Sequence, residues 1–283
     1  MSIGDQSERR TRTSRIGRKN QQDSYVLGIN DTVEFGAIFG VANEQIEHDF
    51  VIWHLLAAIE PLSAKFVFYG GTALSRTVLD GLRLSEDIDL LSVGPRSSLA
   101  KQIDNAVTDA LERKFGRIIA EPWLSEVAND TQACTFFIGE SAVRVQLISG
   151  LDYAAWPCQQ SRINQRYQGM QNLTLSTFTP EGFVGAKTDA WCDATRNAPR
   201  DLYDLWALAT RGYINPMAAY LYKRHGAINS FPRRWMFPKK PPTPAQWEDA
   251  LSHQCIPATD PAEAFETVIS SWERVLKGIG EDF

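Results

Sequence analysis

Apolar and polar positions along the chain change period several times, and each change marks an element. Residues 43–60 put Phe50, Trp53 and Ala57 on one stripe with Val51, Leu55 and Ala58 beside it. That spacing predicts a mostly buried helix. A short apolar run at 66–69 stops at Gly70-Gly71. A helix-compatible segment follows Thr72, and a second β-type run then carries Asp87-Ile88-Asp89-Leu90-Leu91. Residues 97–115 read as an amphipathic helix with Leu99, Ile103, Val107 and Leu111 inward. Three β-type segments come next, at 117–120, 133–138 and 142–149. The last alternates Val143, Val145 and Leu147 against Arg144, Gln146 and Ile148, which predicts a half-buried strand. Thr179-Pro180 supplies an N-cap and a first-turn proline to a helix running to about residue 193. Residues 238–244 form a stiff linker before two helices. The second of these opens on Asp260-Pro261-Ala262-Glu263 and buries Phe265, Val268, Ile269, Trp272 and Leu276.

This order predicts an α/β protein. A small mixed sheet with flanking helices covers 24–178, a helical domain covers 179–283, and residues 1–23 form a flexible basic arm. The arm carries Arg9, Arg10, Arg12, Arg15, Arg18 and Lys19 without apolar periodicity, as a solvated tail does; a grip on RNA phosphates is its functional alternative. A formal net charge of −5 means the protein is no polycation, so any nucleic-acid contact must come from local patches. No stretch approaches the ~20 apolar residues that cross a bilayer, and the N-terminus has no apolar signal core. Cys134, Cys158, Cys192 and Cys255 lack metal-site spacing, which suits reduced thiols in a cytoplasmic protein.

The candidate chemistry lies between Gly70 and Asp89. Alternate side chains of a strand share a face, so Asp87 and Asp89 point the same way, roughly 7 Å apart at their Cα atoms. Two such carboxylates beside apolar Ile88, Leu90 and Leu91 repel each other unless a cation joins them. Mg²⁺ fits, because it takes hard oxygen ligands from one or two carboxylates plus substrate phosphates. The paired glycines let a phosphate approach backbone N–H groups at a helix start, and Gly70, Gly71 and Thr72 form the predicted cradle. Ser85, two residues before Asp87, faces the same side and joins the predicted nucleotide-binding set. Together these parts predict a nucleoside-triphosphate (NTP) site.

GGTAL followed by RLSEDIDL resembles the signature of the AbiEii/AbiGii-type toxins, including the MenT-like mycobacterial group, within the polymerase-β-like nucleotidyltransferase superfamily. Further on, Lys187 followed by Arg196 and Arg200-Asp201-Leu202-Tyr203-Asp204-Leu205 resembles the same family. The resemblance spans roughly residues 44–206. It implies a polymerase-β-like nucleotidyltransferase fold, an active-site cleft with Asp87 and Asp89 facing Lys187, and Lys187 neutralising the triphosphate. It also implies a catalytic aspartate at this later motif. Asp201 and Asp204 share a helix face, and the sequence leaves open which one acts. Enzymes of that superfamily place a third carboxylate on a neighbouring strand; the corresponding positions here are Arg144 and Gln146, with Asp152 a weaker replacement. The resemblance further implies transfer of NMP to the 3′ end of tRNA, a block on translation, and a cognate antitoxin protein.

Residues 216–240 contain no acidic residue. Arg233, Arg234, Lys239 and Lys240 are interleaved with Trp235 and other rings, the parts that hold phosphates and stack on unpaired bases. The other explanation is that the rings are core and the cations their solvated flank. Two further function classes stay open from the sequence: nucleotidylation of a protein or small molecule, and a non-catalytic nucleotide- or RNA-binding module.

Overall fold

Strand-forming and helix-forming stretches alternate as far as residue 178, and in the computed structural model they build one mixed sheet. The structure describes residues 27, 29–129, 132–151, 153, 155–196 and 198–283. The basic arm and Asp152 lie outside them. In chain order the elements are α1 (Ile29–Phe39), α2 (Asn43–Ile59), β1 (Phe66–Tyr69), α3 (Gly70–Ser75), β2 (Asp87–Ser92), α4 (Arg96–Phe115), β3 (Ile119–Glu121), β4 (Cys134–Ile138), β5 (Ser141–Ser149), β6 (Cys158–Ile163) and β7 (Leu173–Phe178). Helices follow: α5 (Pro180–Cys192), α6 (Pro199–Thr210), α7 (Pro216–His225), α8 (Pro244–Leu251) and α9 (Pro261–Gly278).

Among the described residues the sheet runs β3-β4-β5-β2-β1-β7-β6. β2 is antiparallel to β1 and parallel to β5, and β1 is parallel to β7. The aspartate strand is therefore central, where both its edges are paired. Val143, Val145 and Leu147 of β5 are buried and Arg144 is exposed, as the alternation predicts.

Two strands, β6 and β7, extend the sheet beyond what the pattern predicts. β6 is an edge strand of sequence CQQSRI whose first three residues are exposed, so it carries no apolar alternation to read. Helix α7 lies inside the acid-free stretch. Asn215-Pro216 caps its start, where the Asn215 side chain accepts from the Ala218 N–H. The caps at Thr179 and Asp260 form as predicted, accepting from Gly182 N and from Ala262 N and Glu263 N.

One apolar core runs from Ile52 and Trp53 of α2 through Phe68, Ile88 and Val145 of the sheet to Leu205, Trp272 and Leu276 of the helices. It holds α5 and α6 against the sheet, and the cleft opens where they meet β2. No described helix is long and apolar enough to cross a membrane.

Candidate active site

Asp87 and Asp89 line one cleft of about 530 Å³, while Ile88 and Leu90 between and beyond them are fully buried on the other face of β2. The strand alternation thus delivers both carboxylates to the same place. Asp89 sits in register between Tyr69 of β1 and Gln146 of β5, and Asp87 stands beside Arg144. Arg144 Nη1 lies 4.0 Å from Asp87 Oδ2, so a guanidinium stands at one of the two neighbouring-strand positions, Arg144 and Gln146, that flank the pair. Among the described residues no group of three or more His, Cys, Asp and Glu is placed to hold a metal.

The glycine turn is fitted to this pair. Gly70 has φ +77°, and a Cβ built on it would lie 2.0 Å from Asp89 Oδ2. Only glycine lets the carboxylate rest against the turn backbone. A Cβ on Gly71 would come within 2.8 Å of Ser85 Oγ and 3.0 Å of Arg83 Nη2. Gly70, Gly71 and Ser85 all line the cleft. The Thr72 side chain is buried, and its hydroxyl donates to the Asp87 carbonyl. It ties α3 to β2 and is not on the cleft wall.

Lys187 and the two later aspartates form a ladder of alternating charge. Lys187 Nζ lies 2.8 Å from Asp201 Oδ1 and 2.7 Å from Asp204 Oδ2. Arg196 Nε donates to Asp201 Oδ2 at 2.9 Å. Arg83 grips Asp204 with two parallel bonds, Nε to Oδ1 at 2.7 Å and Nη2 to Oδ2 at 2.8 Å, and also donates to Gln254 Oε1. Lys187 thus reaches the cleft already paired with both aspartates. Two of the three ammonium protons go to carboxylates, which leaves one for the cleft that Lys187 lines. Asp204 is buried off the cleft wall and acts on Lys187 and Arg83, whereas Asp201 lines the cleft. Three cations against two carboxylates leave the ladder with excess positive charge, which suits an anionic ligand. Arg200 also lines the cleft and makes no ion pair with Asp204 among those the structure records.

Each ionisable group bears the mark of these surroundings. Burial, and then the charge of Asp87, push the Asp89 carboxyl up to about 6. Burial also raises Asp87, with Arg144 opposing. This is a pair that a divalent cation would relieve, and the turn, both carboxylates and the open cleft fit one. Burial alone would raise Asp204, but Arg83 and Lys187 outweigh it and hold the carboxyl down at about 2. Burial would lower Lys187, yet Asp201 and Asp204 raise it.

A pH dependence follows with two opposite signs. Asp89 in the folded protein binds a proton up to about pH 6, the unfolded chain only to an ordinary 3.8, so metal-free stability should rise as pH falls from about 7 to about 4. Asp204 stabilises fully above its unfolded value, and that contribution is lost as pH falls toward 2. Melting curves across this range should therefore peak between about pH 4 and 5 in chelator. Millimolar MgCl₂ should raise the melting temperature above pH 6 and have little effect below it. A Mg²⁺ effect equal at both ends would contradict the carboxylate pair as its site.

The acid-free stretch divides. Phe231, Phe237 and Tyr222 are core, but Trp235 is 77% exposed. Arg233 donates to the Asp282 carbonyl and pairs with Glu281, and Arg234 reaches the Pro238 carbonyl and lies over the Phe265 ring. Both arginines are thus engaged within the fold, whereas Lys239 and Lys240 are exposed and make no recorded ion pair among the described residues. Sequence reasoning missed the roles of Arg83 and Arg196, and the ring wall of Tyr153, Phe178 and Phe183 on the same cleft. Arg83 had a signal, since it is the first residue of the RLSEDIDL run.

A family model described as nucleotidyl transferase AbiEii toxin, type IV toxin–antitoxin system, matches residues 54–271. The match continues into α9, past the point near 206 where the motifs stop. The fold is similar to MenT4, a nucleotidyltransferase toxin from Mycobacterium tuberculosis H37Rv. The TM-score is 0.63 at 17% identity, covering 87% of this chain and 89% of that one. It is also similar to JHP933 from Helicobacter pylori, with TM-score 0.50, 15% identity, and 85% and 95% covered. No curated protein sequence matches the chain.

Proposed function

The chain belongs to the AbiEii nucleotidyl transferase toxin family of type IV toxin–antitoxin systems, and from that premise we propose that it transfers NMP from an NTP to the 3′ end of tRNA, using Mg²⁺. The observation that carries the reading is the convergence of Asp87, Asp89, the Gly70-Gly71 turn and Lys187 on one cleft. Its volume falls within the ~300–1,000 Å³ usual for small-ligand sites.

Gly70, Gly71 and Ser85 cradle the phosphates, and the remaining Lys187 proton and the exposed part of Arg196 take charge on them. The ring wall of Tyr153, Phe178 and Phe183 offers the nucleobase an apolar surface. Asp87 and Asp89 would hold Mg²⁺, which when bound supplies the positive charge that offsets the triphosphate and its leaving group. The acceptor hydroxyl attacks the α-phosphorus, its bond to the pyrophosphate oxygen breaks, and pyrophosphate departs. Catalysis of this kind is mostly positioning and electrostatics. Residues 24–178 serve as the transferase domain, and the helical domain at 179–283 closes the cleft. The protein acts in the cytoplasm, where its tRNA acceptor and its antitoxin are found. Nucleotides added to a tRNA end make it unfit for charging, and translation stops.

Incubation with α-labelled NTPs, Mg²⁺ and separate tRNA and protein pools tests this. Label on tRNA supports the reading; label on protein alone, or on neither, overturns it. The exposed Lys239 and Lys240 are placed to meet backbone phosphates. Replacing both with serine should weaken tRNA binding and lower the salt slope by roughly 1–2, with NTP binding unchanged. An unchanged slope would move the phosphate contacts to another surface.

A further inference from the structure

A second groove of about 620 Å³ adjoins the cleft, and the two share Tyr153, Ala186, Ala190 and Arg196 as lining. Ala186 and Ala190 stand one turn apart on α5, so part of the boundary the two grooves share, beside Tyr153 and Arg196, is a low ridge of methyl side chains. The second groove carries rings. Trp156 is buried in its lining, and a Cβ on Gly185 would come within 2.2 Å of that ring, so the glycine is what lets the indole lie on the α5 backbone. Trp235 lines the same groove with its side chain largely in water. This flat, accessible ring borders a concave space that adjoins the cleft of Asp87 and Asp89, and a ring so placed is a surface on which a base can stack.

We propose that this groove receives an unpaired base of the acceptor strand, stacked on Trp235, while the strand's terminal hydroxyl reaches Asp87 and Asp89 across the Ala186–Ala190 ridge. The inference rests on the transfer to an RNA end proposed above. Arg196 sits at the junction with its side chain 55% exposed, and one of its donors is used by Asp201. Its fork has further N–H groups for the phosphate between the two nucleotides. Asp189 and Asp193 also line the groove. Their charge disfavours phosphates there, so the backbone turns toward Arg196 and the base, not the backbone, enters. A fully paired end has no free base to give, so the groove selects a single-stranded 3′ tail.

Steady-state transfer to two RNAs, one with an unpaired 3′ tail and one blunt, tests the assignment in wild type, Trp235→Ala and Trp235→Phe. Base–ring stacking losses convert to about a 5- to 150-fold rise in acceptor KM for Trp235→Ala on the tailed RNA. Trp235→Phe should recover most of the loss, the NTP KM should not move, and the blunt RNA should be a poor acceptor for all three. A tailed RNA carrying 2-aminopurine next to its 3′ end gives a readout free of catalysis: the wild type should quench it and Trp235→Ala should not. Because the indole is exposed, the variant should melt with the wild type. An unchanged acceptor KM, or equal quenching by Trp235→Ala, overturns the groove assignment alone. A wild type that quenches the tailed RNA yet transfers nothing to either RNA overturns the proposed transfer and leaves the groove standing.

Discussion

Asp89→Asn is expected to abolish nucleotide transfer and at the same time to raise the melting temperature of the metal-free protein. The asparagine keeps the shape that rests against Gly70, where a Cβ would come within 2.0 Å. It removes the charge that burial and Asp87 make unfavourable, the same cause that pushes the Asp89 carboxyl up to about 6. Metal-free stability at neutral pH should therefore rise, while the response to MgCl₂ should vanish. Loss of one carboxylate from a two-carboxylate site should cut transfer by at least about 10²–10³-fold, the scale seen when a single preorganised electrostatic group is removed. Asp87→Asn should lose activity as well but gain less stability, because Arg144 already offsets its charge. An Asp89→Asn protein with near wild-type transfer would place the chemistry outside this cleft.

Lys187→Ala should lose both activity and fold stability, and the second loss separates Lys187 from an ordinary phosphate-binding lysine. Its ammonium lies buried between Asp201 and Asp204, so truncation leaves two carboxylates short of a partner. Breaking a buried ion pair from one side costs about 3–5 kcal/mol. Arg196 and Arg83 still hold the two aspartates, which puts the expected loss near the lower end. Adding Asp201→Asn should return part of it, since neighbours in one network do not act additively. Denaturant titration measures both effects. A Lys187→Ala protein within about 0.5 kcal/mol of wild type, the usual range for surface substitutions, would contradict the ladder.

The strand–turn–strand core of the site was legible because its constraints are local. The alternation around Ile88 puts Asp87 and Asp89 on one face, and a glycine pair ahead of them leaves space for a carboxylate against the backbone. The neighbouring positions Arg144 and Gln146 were also legible, because strand alternation around Val145 fixes which side chains face the same way. What the sequence hid was partnership at long range. Nothing within a helix turn of Lys187 says that it will lie between Asp201 and Asp204, or that Arg83, more than a hundred residues earlier, will grip Asp204. Those pairings are set when α5 and α6 pack on the sheet. β6 was hidden for another reason: an edge strand with few buried side chains has no apolar rhythm. The acid-free stretch shows the limit of composition, since Arg233 and Arg234 share the charge of Lys239 and Lys240 but are engaged in contacts within the fold.

The central claim is that a nucleotidyl group, not a phosphoryl group, moves from this cleft to an RNA 3′ hydroxyl. Its most direct measurement is parallel transfer with α-labelled and γ-labelled NTP onto tRNA, intact or periodate-oxidised at its terminal ribose. The account predicts α-label on intact tRNA, γ-label only in pyrophosphate, and no label on the oxidised tRNA. Label from the γ position on any acceptor, or α-label on oxidised tRNA, would contradict it.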